Sequence, residues 1–122
     1  MPSLIASFIG IKEQIKVLHW QTQSYSRHIA FGSTYDLLDE KMDEFIETYM
    51  GKYGRIALTE GEDSINLVNI GEIQIPEFLD TIVEYFISFN NQLNSNRDTD
   101  LLNLRDEMLG AINKLKYLLT LK

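Results

Sequence analysis

The two histidines of the chain lie close together, just before a predicted helix that is rich in carboxylates. His19 is followed directly by Trp20, and His28 lies nine residues after His19. The helix that follows carries six of the 18 acidic residues, namely Asp36, Asp39, Glu40, Asp43, Glu44 and Glu47. Neutral imidazoles and carboxylates together form a ligand set that suits iron, manganese or zinc. The sequence therefore points to a metal site in this stretch.

Each of these features also has a purely structural interpretation. A single histidine on an apolar helix stripe is usually a core residue, and an acidic stripe is usually a solvated face. The combination favours a site, because both histidines flank the turn that leads into the acidic helix. Asp43 and Glu47 are four residues apart, so their carboxylates lie on one face and can bridge metal ions. Both lie off the apolar stripe, so they become useful ligands only if another subunit covers them.

Composition and charge predict an acidic globular protein. The 122 residues fit one domain over residues 1–122, with 44% hydrophobic and 24% charged residues. A net charge of −7 argues against nucleic-acid binding, which needs clustered Lys and Arg. The chain has no cysteine for a disulfide or a thiolate ligand. It shows neither a signal-peptide pattern nor the roughly 18 apolar residues of a membrane span, so we expect a cytoplasmic protein without membrane association.

Apolar residues recurring every three or four positions predict two helices in the first half of the chain. The first is expected over residues 3–24, with Ser3 as its N-cap. The second is expected to begin between His28 and Ser33 and to end near Gly51.

A long connection and two further helices are predicted for the second half. Residues 51–75 have no sustained period, with 63–68 as the one candidate for a short helix. The third helix is expected over residues 76–93, with a proline in its first turn. Asp98 or Asp100 can cap the fourth. Two antiparallel pairs joined by one long crossover predict an all-α, ferritin-like four-helix bundle.

A di-iron site inside the bundle is disfavoured by the sequence. Such a site needs Glu-x-x-His pairs on two helices, together with single glutamates on the other two. No Glu-x-x-His occurs in the chain, and the predicted third and fourth helices contain no histidine.

Residues 11–51 resemble the starvation-inducible, DNA-protecting mini-ferritins (Dps). The residues with the spacing of that family are Leu18, His19, Trp20, His28, Tyr35, Leu38, Asp43 and Glu47. The loop between the two histidines is about three residues shorter than is usual in the family. The rest of the chain resembles the family in helical layout, and its length is similar to that of compact relatives found in phage and viral genomes.

The resemblance implies that His19, His28, Asp43 and Glu47 are iron ligands. In the family, one subunit supplies the histidines and its two-fold partner supplies the carboxylates. The family oxidises Fe(II), preferably with hydrogen peroxide, and stores the ferric product in a twelve-subunit shell. Trp20 would be a nearby aromatic that absorbs stray oxidising equivalents. We therefore expect a ferritin-like iron-binding protein, a candidate ferroxidase, that forms at least a homodimer.

Two departures from the family pattern bear on this expectation. Gly32 stands where the family has a further acidic ligand, so the site is short of one carboxylate unless Asp36 or Asp39 replaces it. The lysine-rich N-terminal tail through which many members bind DNA is missing, so DNA binding is not expected. The alternative function is a non-catalytic helical interaction module that has lost the metal site and docks through its acidic stripe.

Overall fold

The computed structural model describes residues 2–122, which form helices and no strand. The helices are α1 (Leu4–Gln21), α2 (Tyr25–Tyr53), a 3₁₀ turn (Glu72–Gln74), α3 (Ile75–Ile87), the short α4 (Phe89–Gln92) and α5 (Thr99–Leu118). The predicted all-α class is therefore confirmed. Within this described range, no helix has both the length and the apolar character needed to cross a membrane.

The turn between α1 and α2 is tighter than predicted. Ser3 caps α1 as expected, because its side chain accepts a hydrogen bond from the backbone N–H of the third helical residue. The expected start of α2 at or after His28 is wrong. Ser24 accepts a hydrogen bond from the backbone N–H of Arg27, which starts the helix at Tyr25. His28 consequently lies inside α2, in its first turn.

The later helix boundaries also differ from the prediction. Gly54 ends α2 with φ +91°, a conformation that favours glycine, and the helix runs past Gly51 to reach it. The candidate helix at 63–68 was wrong, because this stretch is irregular. The third helix stops at Ile87 rather than near 93, and α4 follows it after Ser88.

Contacts at the helix ends fix the directions of α1, α2 and α5. Only residues 22–24 separate α1 from α2, so these helices run in opposite directions. Lys52 at the end of α2 donates a hydrogen bond to Asp100 at the start of α5 (2.8 Å). Arg27 near the start of α2 donates one to the carbonyl of Leu119, just beyond α5 (3.2 Å). Helices α2 and α5 are therefore antiparallel.

Helix α3 packs on α5, also in the antiparallel sense. Lys116 near the end of α5 forms an ion pair with Asp80 near the start of α3. Arg105, which is buried, donates from its guanidinium to the carbonyl of Phe86 near the end of α3 (2.8 Å) and to the side chain of Asn90 (2.7 Å). The directions of α2 and α3 are therefore the same.

A cluster of phenylalanine rings fills the core between the two helix pairs. The ring centroid of Phe8 on α1 lies 5.4 Å from that of Phe45 on α2, 6.3 Å from that of Phe86 on α3 and 6.2 Å from that of Phe89 on α4. Phe8 is 1% exposed. Burying a phenylalanine of this kind contributes on the order of 1.5–3 kcal/mol, so this cluster is a main source of the packing energy.

The segment between α2 and the 3₁₀ turn, residues 54–71, lies against α1. The backbone N–H of Ser3 donates to Asp63 (2.6 Å). Further along, the side-chain amide of Gln14 donates to the carbonyl of Val68 (2.8 Å) and accepts from its N–H (3.0 Å). The glutamine amide thus satisfies both backbone groups of Val68, which explains how an irregular segment is held without a helix.

Candidate metal centre

The two histidines form a stacked pair across the turn between α1 and α2. His19 lies in the last turn of α1 and His28 in the first turn of α2. Their ring centroids are 3.8 Å apart, and the ring planes differ by 17°. The sequence predicted that both residues flank one turn, and the structure brings them into contact.

Each imidazole is held by the backbone of the other histidine. Nδ1 of His19 lies 2.6 Å from the carbonyl oxygen of His28, and Nδ1 of His28 lies 2.8 Å from the carbonyl oxygen of His19. A carbonyl oxygen can only accept, so each Nδ1 carries the proton and donates it. In the neutral ring Nε2 then has a free lone pair. Such a backbone bond to the second nitrogen is the usual way in which a metal-ligating histidine is oriented.

Gly32 makes room for this pair. A Cβ atom at position 32 would lie 2.9 Å from Cε1 and 3.0 Å from Nδ1 of His19. The ring of His19 therefore rests against the backbone of α2, one turn beyond His28. A side chain at position 32, including the acidic ligand expected from the family pattern, would collide with the ring in this arrangement.

Exposed aromatic residues and a lysine surround the pair. Trp20 and Tyr25 are 69% and 78% exposed, and the ring centroids of Tyr25 and His28 are 6.4 Å apart. The ammonium of Lys16 lies 5.3 Å from the ring centre of Trp20 and 4.6 Å from that of Tyr35. These are cation–π distances, so the lysine links the ring of Trp20 on α1 to that of Tyr35 on α2.

A charged network, which the sequence reasoning missed, joins α1 to the middle of α2. Lys12 donates to Asp39 (2.6 Å), and the hydroxyl of Tyr35 donates to Glu13 (3.0 Å). Partial burial, followed by this hydrogen bond to Glu13, raises the pKa of Tyr35. The carboxylate of Asp39 is thus paired with the ammonium group of Lys12. The signal that could have predicted this network is the spacing of Lys12 and Lys16, which places both on the face of α1 that carries His19.

Asp43 and Glu47 form a second pair, which is exposed on α2. A hydrogen bond with Asp43 and the negative charge of that carboxylate raise the pKa of Glu47. Among residues 2–122, neither side chain takes part in an ion pair. The two carboxylates therefore repel each other and favour a proton or a cation between them.

The two pairs are too far apart to form one site within a single chain. Asp43 and Glu47 follow His28 by 15 and 19 residues on the same helix. At 1.5 Å per residue these separations are about 22 Å and about 28 Å. In the part of the chain that the structure describes, no group of three or more His, Asp or Glu side chains comes together in a way that could hold a metal ion. Within one chain, each pair therefore brings together only two such side chains.

Comparison with known proteins places the chain in a family without describing an activity. Residues 19–119, from the first histidine to the residue after α5, match the family of unknown function DUF5856. The match spans most of the chain, and the chain belongs to this family. None of the curated proteins and none of the solved structures matches the chain.

Proposed function

We propose that this protein is a ferritin-like iron-binding protein that oxidises Fe(II) at sites shared between two subunits. The observation that carries the proposal is the histidine pair. Both Nδ1 atoms are bonded to carbonyl oxygens, and both Nε2 lone pairs are left for a cation. Two nitrogen donors with two carboxylates are a ligand set that suits Fe(II).

A two-fold dimer through the outer face of α1 and α2 would complete the site. His28 lies eight residues before Asp36 on α2, and Asp43 lies seven residues after it. A two-fold axis that crosses α2 near Asp36 would therefore set the histidine pair of one copy opposite Asp43 and Glu47 of the other. The network that joins Lys12 to Asp39 lies on this face, so it would hold α1 and α2 together beneath the contact.

A ferritin-like bundle with a long crossover is the fold that we propose for this chain. The antiparallel packing of α2 with α5 and of α3 with α5 supports it. Segment 54–71 supports it as well. Asp63 of this segment accepts a hydrogen bond from Ser3 at the start of α1, and Asn69 accepts one from Gln21 at its end (2.8 Å). The segment therefore runs along α1, as a crossover along the bundle would.

The chemistry proposed is a two-electron reduction of hydrogen peroxide by two Fe(II) ions. Each Fe(II) gives up one electron, and peroxide takes both electrons with two protons and leaves as two water molecules. The histidines and carboxylates would bind the iron as substrate. Trp20, next to His19 in the chain, and Tyr25 are both exposed, so either ring would be open to a stray oxidant.

An anaerobic Fe(II) titration, followed by addition of peroxide and measurement of ferric absorbance, tests the proposal. Two double variants remove the ligands: His19→Ala with His28→Ala, and Asp43→Asn with Glu47→Gln. The matched control is Glu77→Gln with Glu84→Gln, which removes two exposed charges from α3. We expect both ligand variants to lose binding and oxidation, and the control to behave as wild type. Equal binding by all four proteins would overturn the proposal.

A helical interaction module without metal chemistry is the second candidate. The exposed Trp20 and Tyr25 beside the histidines favour it, because large exposed aromatics are common at protein contacts. In this case wild-type protein would bind no more iron than serum albumin does, and the double histidine variant would leave partner binding unchanged.

A further inference from the structure

One end of the molecule exposes a large apolar side chain beside an apolar cleft. At this end α5 finishes and α2 and α3 begin. Ile73, in the 3₁₀ turn that precedes α3, is 95% exposed. Its neighbours Glu72 and Ile75 line a cavity of about 240 Å³ between α3 and α5. The exposed isoleucine thus lies at the edge of a space that could receive a side chain of its kind.

The floor of this cleft is apolar. Ile75 and Leu79 from α3 are 2% and 1% exposed, and Pro76 and Leu119 complete the surface. A cavity of about 150 Å³ is enough for benzene, so the four-carbon side chain of an isoleucine fits easily. Filling the cleft with an apolar side chain would remove apolar surface from water on both partners.

The two rims of the cleft are electrically neutral, although the chain is acidic. On one rim Arg27 forms an ion pair with Glu72, and on the other Lys116 forms one with Asp80. A net charge of −7 makes two copies repel each other in general. Each rim carries one cation and one carboxylate, so another copy can approach here without like-charge repulsion. Under a two-fold axis one rim faces the other, and cations of one copy can meet carboxylates of the second.

We propose that a second copy of this chain docks at this end, and that each copy inserts Ile73 into the cleft of the other. The contact is separate from the outer face of α1 and α2 and does not depend on iron. Together with the proposed contact through α1 and α2, this second contact would give assemblies larger than a dimer.

Sedimentation of wild type and two single variants tests this contact. Ile73→Asp places a charge in the contact, and Leu58→Asp is the matched control, because Leu58 is 63% exposed in segment 54–71. We expect Ile73→Asp to reduce the assembly mass at least twofold and Leu58→Asp to leave it unchanged. A monomeric wild type, or equal masses for all three proteins, overturns the proposal. The iron titration tests the proposed contact through α1 and α2, whereas sedimentation of the Ile73 variant tests the contact at this end. The iron-site proposal and the docking proposal can therefore fail independently.

Cross-linking between copies provides a second test that does not rely on loss of assembly. The chain has no cysteine, so Ile73→Cys and Thr120→Cys proteins can be mixed and oxidised. Thr120 lines the cleft and is exposed. We expect a disulfide-linked heterodimer from this mixture and none when Leu58→Cys replaces Ile73→Cys. Equal cross-linking in both mixtures would exclude the specific contact.

Discussion

At the scale of single residues, the contact between Gly32 and His19 gives the glycine at position 32 a physical role. A Cβ atom at position 32 would occupy space that the imidazole of His19 takes. That ring position is what allows the two reciprocal bonds between the histidines and the opposite backbone carbonyls. A chain with a side chain at position 32 would have to hold His19 elsewhere.

Gly32→Ala should displace the ring of His19 while leaving the fold intact. Alanine favours a helix interior over glycine by about 1 kcal/mol, and the obstructing atoms belong to a side chain that can rotate away. We therefore expect little change in stability, within about 1 kcal/mol, but loss of the Nδ1–H bonds. Nitrogen-15 NMR of the imidazoles at neutral pH would show the Nδ1–H signals of both rings broadened by exchange with water.

Gly110→Ala is the matched control for this change. Position 110 is also helical, but no heavy atom lies within 4 Å of a Cβ built there. It should gain the same helix propensity and leave the histidine signals as in wild type. Identical imidazole spectra for the two variants would show that Gly32 does not position His19.

The spacing of residues predicted which side chains belong together, but not how they are held. Histidines at 19 and 28 were expected to flank one turn, and Asp43 and Glu47 were expected on one helix face. The stacking of the rings and their bonds to opposite carbonyls depend on how closely α1 approaches α2 at Gly32. This distance is a property of tertiary packing, which periodicity does not encode.

At the scale of elements, local signals predicted the starts of α1 and α3, but neither the start of α2 at Tyr25 nor the interruption after Ile87. Ser3 before α1 and the proline at the start of α3 act on the neighbouring backbone, so the sequence reveals them. The early end of α3 was not predictable in this way. There the side chain of Arg105, 19 residues downstream, binds the carbonyl of Phe86, and Ser88 donates to the carbonyl of Tyr85. A nonlocal contact, from Arg105 to Phe86, thus accompanies the local one from Ser88 at this helix end.

Asp98 joins the end of α2 to the start of α5, and its charge should make this junction sensitive to acid. It is 2% exposed and accepts hydrogen bonds from the hydroxyl of Tyr53 and the backbone N–H of Asn94. These bonds, with help from Lys52, lower the pKa of Asp98. A lowered folded pKa stabilises the protein above the unfolded pKa of about 3.9. That stability is lost as the pH falls through the folded pKa.

Asp98→Asn should therefore lower the urea midpoint at neutral pH, and the difference from wild type should shrink as the pH falls below about 4. Urea unfolding, followed by circular dichroism at several pH values, measures the urea midpoint of each protein and how the difference between the two midpoints changes with pH. Asp36→Asn is the control, because Asp36 is exposed and the change removes one carboxylate from the surface. A constant difference between Asp98→Asn and wild type at all pH values would mean that the charge of Asp98 does not act in this way.

At the scale of the whole molecule, the proposed iron site requires two chains. The histidine pair lies where α1 meets the start of α2, and the carboxylate pair lies 15 and 19 residues beyond His28 along α2, so a single copy cannot bring them together. Under a two-fold axis each dimer has two sites, and each site takes its histidines from one copy and its carboxylates from the other. This division of ligands can be tested without a structure of the assembly.

Subunit mixing should restore iron oxidation that neither parent protein has. One parent is His19→Ala with His28→Ala, and the other is Asp43→Asn with Glu47→Gln. In a mixed dimer one site loses all four ligands, and the other takes intact histidines from one copy and intact carboxylates from the other. Random assortment makes half of the dimers mixed, so roughly a quarter of the wild-type sites should return. Recovery should require subunit exchange, achieved by mild denaturation and refolding of the mixture. If one chain supplied all four ligands of a site, the mixture would stay as inactive as the two parent proteins, and this result would contradict the shared site.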